Sequence, residues 1–189
     1  MQLIRQPIID WDVVWDYTMG LPEDNGFTKT VSGNSPQAEI QQDGLRITVA
    51  MATDYIRYNP TDYPTCNEGI WEIELSFAEL PTLEGIRAIL SDGEKGCQVS
   101  MKSTSAASGT YGVYYNTGNI QAQILEVNPD NQYILRTERR NGHNTVYIND
   151  AQIYESDVAS TYFTIGNRIF FQRSPMDAIL KSMRFKKIS

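Results

Sequence analysis

The sequence predicts an all-β protein folded as an antiparallel two-sheet sandwich, and three observations lead there. First, short segments alternate apolar and polar residues with period two. In the cleanest, Gly69 to Phe77 (GIWEIELSF), Trp71, Ile73, Leu75 and Phe77 face one way and Glu72, Glu74 and Ser76 the other. Second, turn dipeptides such as Asp43-Gly44 and Asn141-Gly142 separate about a dozen such segments at short intervals. Third, eleven Tyr, six Phe and three Trp in 189 residues suit pleated, half-buried surfaces. No internal repeat or linker divides the chain, so residues 1–189 are expected to form one domain.

In chain order, Trp11 to Met19 alternates Trp11, Val13, Trp15 and Tyr17 with acidic neighbours and predicts an opening strand. A Gly-, Pro-, Asn- and Ser-rich loop follows over Leu21–Pro36, with one extended piece at Thr28–Val31. Ala38 to Ala50 predicts a hairpin turning at Asp43-Gly44. Tyr55 to Asn59 is a short strand ended by Pro60 and Pro64. After Gly69–Phe77 come Gly85–Ser91 and Gly96–Ser103, then a hairpin of Tyr111–Tyr115 and Asn119–Val127.

Gln132 to Glu155 predicts two strands and a short return strand, turning first at Arg140–Asn144 and again at Asn149-Asp150. Arg168–Arg173 and Ala178–Ile188 close the chain. Only Phe77–Leu83 and Ser156–Tyr162 offer even one helical turn.

Charge and composition exclude several classes. The formal net charge of −7 opposes binding to a phosphate backbone, which needs clustered Lys and Arg. The basic group Lys181, Arg184, Lys186 and Lys187 reads as a solvated edge strand, so no nucleic-acid partner is expected. No apolar run approaches the length of a membrane helix, so no membrane insertion is expected. Asp10, Asp12 and Asp16 interrupt the N-terminal region, which therefore carries no secretory signal pattern. This implies synthesis in the cytoplasm, where the chain stays or from which it leaves by a route such as lysis, unless the sequence is trimmed. Cys66 and Cys97 have no metal-ligand spacing and are expected to be reduced thiols, with a disulfide between them left open.

Four stretches in order, Asp16–Gly33, Gln41–Val49, Gly69–Phe77 and Tyr133–Tyr154, together with the closing Ile179–Ile188, resemble the concanavalin A-like lectin/glucanase domain, including its laminin-G-like and laminarinase-like branches. The resemblance implies a jelly-roll sandwich with one concave sheet, where glycans lie across that sheet or at its rim. It also implies, in some members, a calcium ion away from the binding face. Lectins, hydrolases, lyases and structural modules share the architecture, so the site must decide function.

The glucanase branch places three acidic residues at alternate positions of one strand, and the matching positions here are Glu72, Glu74 and Ser76. Retaining hydrolysis needs two carboxyl groups about 5–5.5 Å apart. A serine hydroxyl cannot replace a carboxylic acid as proton donor, so the triplet is incomplete. His143, the single histidine, sits in a turn and offers no nucleophilic triad. Asp10, Asp12, Asp16 and Asp177 are the oxygen donors that could converge on calcium. Trp11, Trp15 and Trp71 share faces with aliphatic residues and are expected in the core.

Glycan binding needs aromatic faces and planar polar groups displayed together. Tyr55, Arg57, Glu72, Glu74, Arg87, Tyr114 and Arg136 are the expected set, all on the concave sheet. The sequence thus favours a non-catalytic carbohydrate-binding or structural adhesion module, with a virion or prophage component as its expected setting, and a subunit of a larger assembly as a further reading. The alternative is a glycoside hydrolase or polysaccharide lyase using Glu72 or Glu74 with a partner from another strand.

Overall fold

A computed structural model describes residues 8–51, 53–66, 68–79, 84–91, 96–105, 108–115, 119–125, 131–141, 143–157, 165–172 and 176–188. For 65, 78–125, 154, 176 and 156–172 apart from Phe171, the description covers the backbone alone.

Sixteen strands occur among the described residues. In chain order they are β1 (Val13–Asp16), β2 (Phe27–Ser32), β3 (Gln37–Gln41), β4 (Gly44–Val49), β5 (Tyr55–Pro60), β6 (Thr65–Cys66), β7 (Gly69–Glu79) and β8 (Glu84–Ser91). There follow β9 (Gly96–Ser105), β10 (Ser108–Tyr115), β11 (Asn119–Leu125), β12 (Tyr133–Arg140), β13 (His143–Ile148), β14 (Ala151–Asp157), β15 (Ile165–Gln172) and β16 (Met176–Lys187).

Two eight-stranded sheets result. Sheet A runs β14-β13-β12-β7-β16-β4-β3, with β1 on the distal half of β16; sheet B runs β11-β10-β9-β8-β15-β5-β2, with β6 on β15. Every pairing is antiparallel, as the predicted sandwich requires.

Period-two alternation puts one face of each sheet into a shared core. Trp71, Ile73, Leu75 and Phe77 of β7 pack with Leu45, Ile47, Leu135, Val146, Met183 and Phe185 of their own sheet and with Phe27, Ile56, Tyr58 and Phe171 of the other. The Phe27 and Trp71 rings, 6.2 Å apart, join the two sheets, and Phe185 lies 5.1 Å from Trp71 on the other side. Burying an aliphatic or aromatic side chain of this kind contributes about 1.5–3 kcal/mol, so these inward rows fix which face of each strand remains for function. Trp15 and Trp71 are fully buried as expected, whereas Trp11 is half-buried outside the core cluster.

The turns show where local chemistry and tertiary packing compete. Asn149 and Asp150 join β13 to β14 with φ of 49° and 63°, the paired left-handed geometry of a tight hairpin. Asn149 Oδ1 also accepts from the Ile134 N–H at 2.8 Å, tying this turn to the start of β12.

The Asp43-Gly44 expectation needs correction, because Gln41 pairs with Gly44 and the turn centres on Gln42-Asp43. Gly44 is instead the first residue of β4, and a Cβ there would stand 2.6 Å from Ile179 Cγ2 and 2.9 Å from the Leu180 carbonyl oxygen. The opening strand is also shorter than expected. Asp16 accepts from the Thr18 N–H at 2.9 Å and caps a 3-10 turn over Tyr17–Met19. Phe77–Glu79 belongs to β7 and Ser156–Asp157 to β14, so neither helical candidate begins as a helix; their remaining residues lie outside the described ones.

Candidate functional site

The seven expected ligand residues do not share a sheet. Glu72 and Glu74 lie on β7 and Arg136 on β12, all in sheet A, while Tyr55 and Arg57 lie on β5, Arg87 on β8 and Tyr114 on β10, all in sheet B. Both groups occupy positions alternating with core residues, so they fall on opposite outer faces of the sandwich. Alternation reports which face of a strand is polar, and it is silent about which sheet the strand joins.

On sheet A, register brings Arg184, Glu72, Arg136 and Tyr147 into one row across β16, β7, β12 and β13. Glu72 accepts from Arg184 Nη1 at 3.2 Å through one carboxylate oxygen, and Arg136 Nη1 lies 3.5 Å from the other. Arg136 also donates to Asp150 at 3.2 Å and covers the Tyr147 ring, 4.2 Å from its centroid.

Burial pushes the Glu72 carboxyl above its ordinary value, against the pull of Arg184 and then Arg136. Both oxygens are therefore engaged by cations of the same sheet. Such a row stabilises strand pairing, and a ligand reaching Glu72 would have to displace a guanidinium. Glu74 and Ser76 continue the outer face of β7, opposite Ser182 and Ile179, and bring no third carboxylate beside Glu72 on that strand.

An open site lies farther along the same face. Gln37, Glu39 and Gln41 alternate along β3, and with Arg46 and Thr48 of β4 they line a groove of about 240 Å³. Gln37 pairs with Thr48 and Glu39 with Arg46, so amide, hydroxyl, carboxylate and guanidinium groups stand side by side.

Arg46 is held from the neighbouring strand by Asp177 of β16, with Nε donating to the two carboxylate oxygens at 2.9 and 3.1 Å and Nη2 adding a further bond. That carboxylate raises the Arg46 pKa and keeps the guanidinium charged. Part of this polar face is legible in the sequence: Glu39 and Gln41 alternate within the predicted Ala38–Ala50 hairpin, and Gln37 stands one residue before it.

The four aspartates expected to converge on calcium are dispersed. Asp12 accepts from Lys186 Nζ at 2.8 Å and the Lys187 N–H at 2.7 Å, Asp16 caps its turn, and Asp10 is exposed. Asp177 lies at the opposite end of β16 from Lys186, about 30 Å away at the rise of an extended strand. Among the described residues no three His, Cys, Asp or Glu side chains are grouped to hold a metal ion. Cys66 is buried in the core, and the Cys97 side chain lies outside the described residues.

No protein-family model and no curated protein matches the chain. Solved structures do resemble it. A carbohydrate-binding module of Bacillus subtilis, CBM66, superposes with a TM-score of 0.56 at 12% identity, covering 86% of this chain and 96% of that one. A protein described as a native glycosidic hydrolase gives 0.63 at 10% identity over 97% and 99% of the two chains. A sialidase gives 0.64 at 12% identity over 96% of this chain, which spans only 19% of that longer one. At such identities the likeness is one of fold, the antiparallel jelly-roll sandwich that the sequence predicts.

Proposed function

We propose that this chain is a non-catalytic carbohydrate-binding module that seats an uncharged polysaccharide in the β3–β4 groove of sheet A. The groove carries the proposal, because Gln37, Gln41 and Thr48 present amide and hydroxyl groups that make no side-chain hydrogen bond among the described residues. Vicinal sugar hydroxyls are matched by such paired donors and acceptors, with Arg46 as a fixed donor at the centre. Glu39 and Asp177 offset the charge of Arg46, which disfavours acidic sugars there. The fold likeness to a carbohydrate-binding module supports the reading.

Calorimetric titration with soluble neutral polysaccharides tests it. Saturable binding that Gln41→Ala and Thr48→Ala weaken, with the melting temperature kept, is the expected result. Absence of binding to every neutral polysaccharide tried would reject the groove as a glycan site.

A hydrolase reading draws on one observation, the contact of Arg136 Nη1 with both Glu72 and Asp150. Glu72, protonated more readily than an ordinary glutamate, would be the acid and Asp150 the second carboxylate. Release of reducing sugar that Glu72→Gln abolishes would establish this reading, and its absence across the bound polysaccharides would dismiss it.

A further inference from the structure

The charge of this acidic chain is segregated by sheet. The strands of sheet B carry Lys29, Arg57, Arg87, Lys102 and Arg168 against one carboxylate, Glu84. Sheet A mixes both signs and pairs them, as Glu72 does with Arg136 and Arg184 and Asp177 with Arg46.

Register places Arg57, Arg87, Lys102 and Arg168 on the outer face of sheet B, whereas Lys29, opposite the fully buried Tyr58, lies on the inner side and pairs with Glu23. Phe171, fully buried, and Ile56, its partner on β5, face the core, so the alternating Phe170 and Arg57 fall on the outer side. Phe170 pairs with Arg57 on one side and Arg87 on the other, forming a row across β5, β15 and β8. Arg168, two residues from Phe170 on β15, is diagonal to both arginines, and Tyr55 is two residues from Arg57 on β5. Tyr114 occupies the Arg168 row, reached through Gln98 and Ile89. Glu84 stands beyond this cluster, opposite Lys102 near the start of β8.

We propose that the outer face of sheet B is a second recognition surface, for a carboxylate-bearing polysaccharide, built where register places Arg57, Arg87 and Arg168 around Phe170 with Tyr55 and Tyr114 on the same face. Guanidinium groups match carboxylates in a two-pronged geometry, and aromatic faces accept sugar rings. Arg57 and Arg87 are separated by two strand spacings, about 9.5 Å, comparable with the advance of two sugar units along an extended chain. A nucleic acid is the weaker fit, because three arginines on a chain of net charge −7 are too few for a long phosphate track, which needs many cations. The surface is independent of the sheet A groove, so either can fail alone.

The test is titration of the full chain with polygalacturonate, a neutral glucan and a short DNA duplex at low and moderate salt. Polygalacturonate should bind saturably and lose affinity with added salt. The combined Arg57→Gln, Arg87→Gln and Arg168→Gln variant should weaken it by roughly tenfold or more, whereas Gln41→Ala should leave it unchanged. Circular dichroism checks that the combined variant folds, and if it does not, Arg87→Gln and Arg168→Gln singly should each weaken binding by roughly threefold. The proposal is overturned by absence of saturable polygalacturonate binding, by folded arginine variants that bind it normally, or by tighter binding to the DNA duplex.

Discussion

Asp177 of β16 grips the Arg46 guanidinium of β4 along one edge, with Nε 2.9 and 3.1 Å from its two carboxylate oxygens. Arg46 lines the polar groove, and the pair decides which way this one cation of the groove points. Because Arg46 is substantially exposed, the ion pair contributes little to stability. On the proposed function its effect belongs to binding. Asp177→Asn should weaken a neutral glycan by roughly threefold to tenfold through a loosened Arg46, with the melting temperature nearly unchanged, in paired calorimetry and thermal melts.

Glu72 gives a pH signature of one sign. Its folded-state pKa is raised by burial above the ordinary 4.5, so between those two values the native state holds more protons than the unfolded chain. Stability contributed by Glu72 is present at low pH and is lost as pH rises through that window. Glu72→Gln should remove this slope, and urea midpoints measured from about pH 4 to about pH 7 would show the two profiles diverging. Parallel profiles would contradict the assigned burial.

Asp54 gives the opposite sign. Ser35 donates to it from its hydroxyl at 2.6 Å and its backbone N–H at 2.9 Å, and these bonds lower the Asp54 pKa below its ordinary 3.8. The contribution is present above that value and is lost as pH falls through the lowered one. Asp54→Asn should therefore narrow the difference in stability between neutral and strongly acidic solution. Gly33 explains why the loop admits this carboxylate: its φ is +87° and a Cβ would lie 2.1 Å from the Asp54 carboxyl carbon. Gly33→Ala should cost more than about 1 kcal/mol from backbone conformation alone, read from urea midpoints.

Gly44 and Gly20 both hold a positive φ and differ in packing. A Cβ on Gly44, at φ +153°, collides with Ile179 and the Leu180 backbone, whereas one on Gly20, at φ +91°, meets nothing within 4 Å. Gly44→Ala should destabilise by about 1–3 kcal/mol through overpacking, added to the backbone cost of its positive φ. Gly20→Ala should cost about 1 kcal/mol from its backbone alone. Denaturant unfolding of the two variants side by side checks the ordering.

Much of the fold was legible in the sequence. The inward row Trp71, Ile73, Leu75 and Phe77 and the turn at Asn149-Asp150 are where alternation and turn chemistry place them. What local pattern lacked was the pairing of strands distant in sequence. Residues 72 and 87 lie on neighbouring strands of the chain, yet β7 joins sheet A and β8 joins sheet B, and this divides the expected ligand set. Arg57, Arg87 and Arg168 form no run in sequence and meet only through β15. Asp43-Gly44 looks like a turn in either role, because a glycine required for close packing has the same letter as one required for a bend.

The most direct test of glycan recognition in the groove is amide chemical-shift mapping of the isotope-labelled chain titrated with a bound neutral oligosaccharide. Saturating shifts should cluster at Gln37, Glu39, Gln41, Arg46 and Thr48. Shifts centred on Glu72, Arg136 and Asp150, with the groove amides unmoved, would contradict the account.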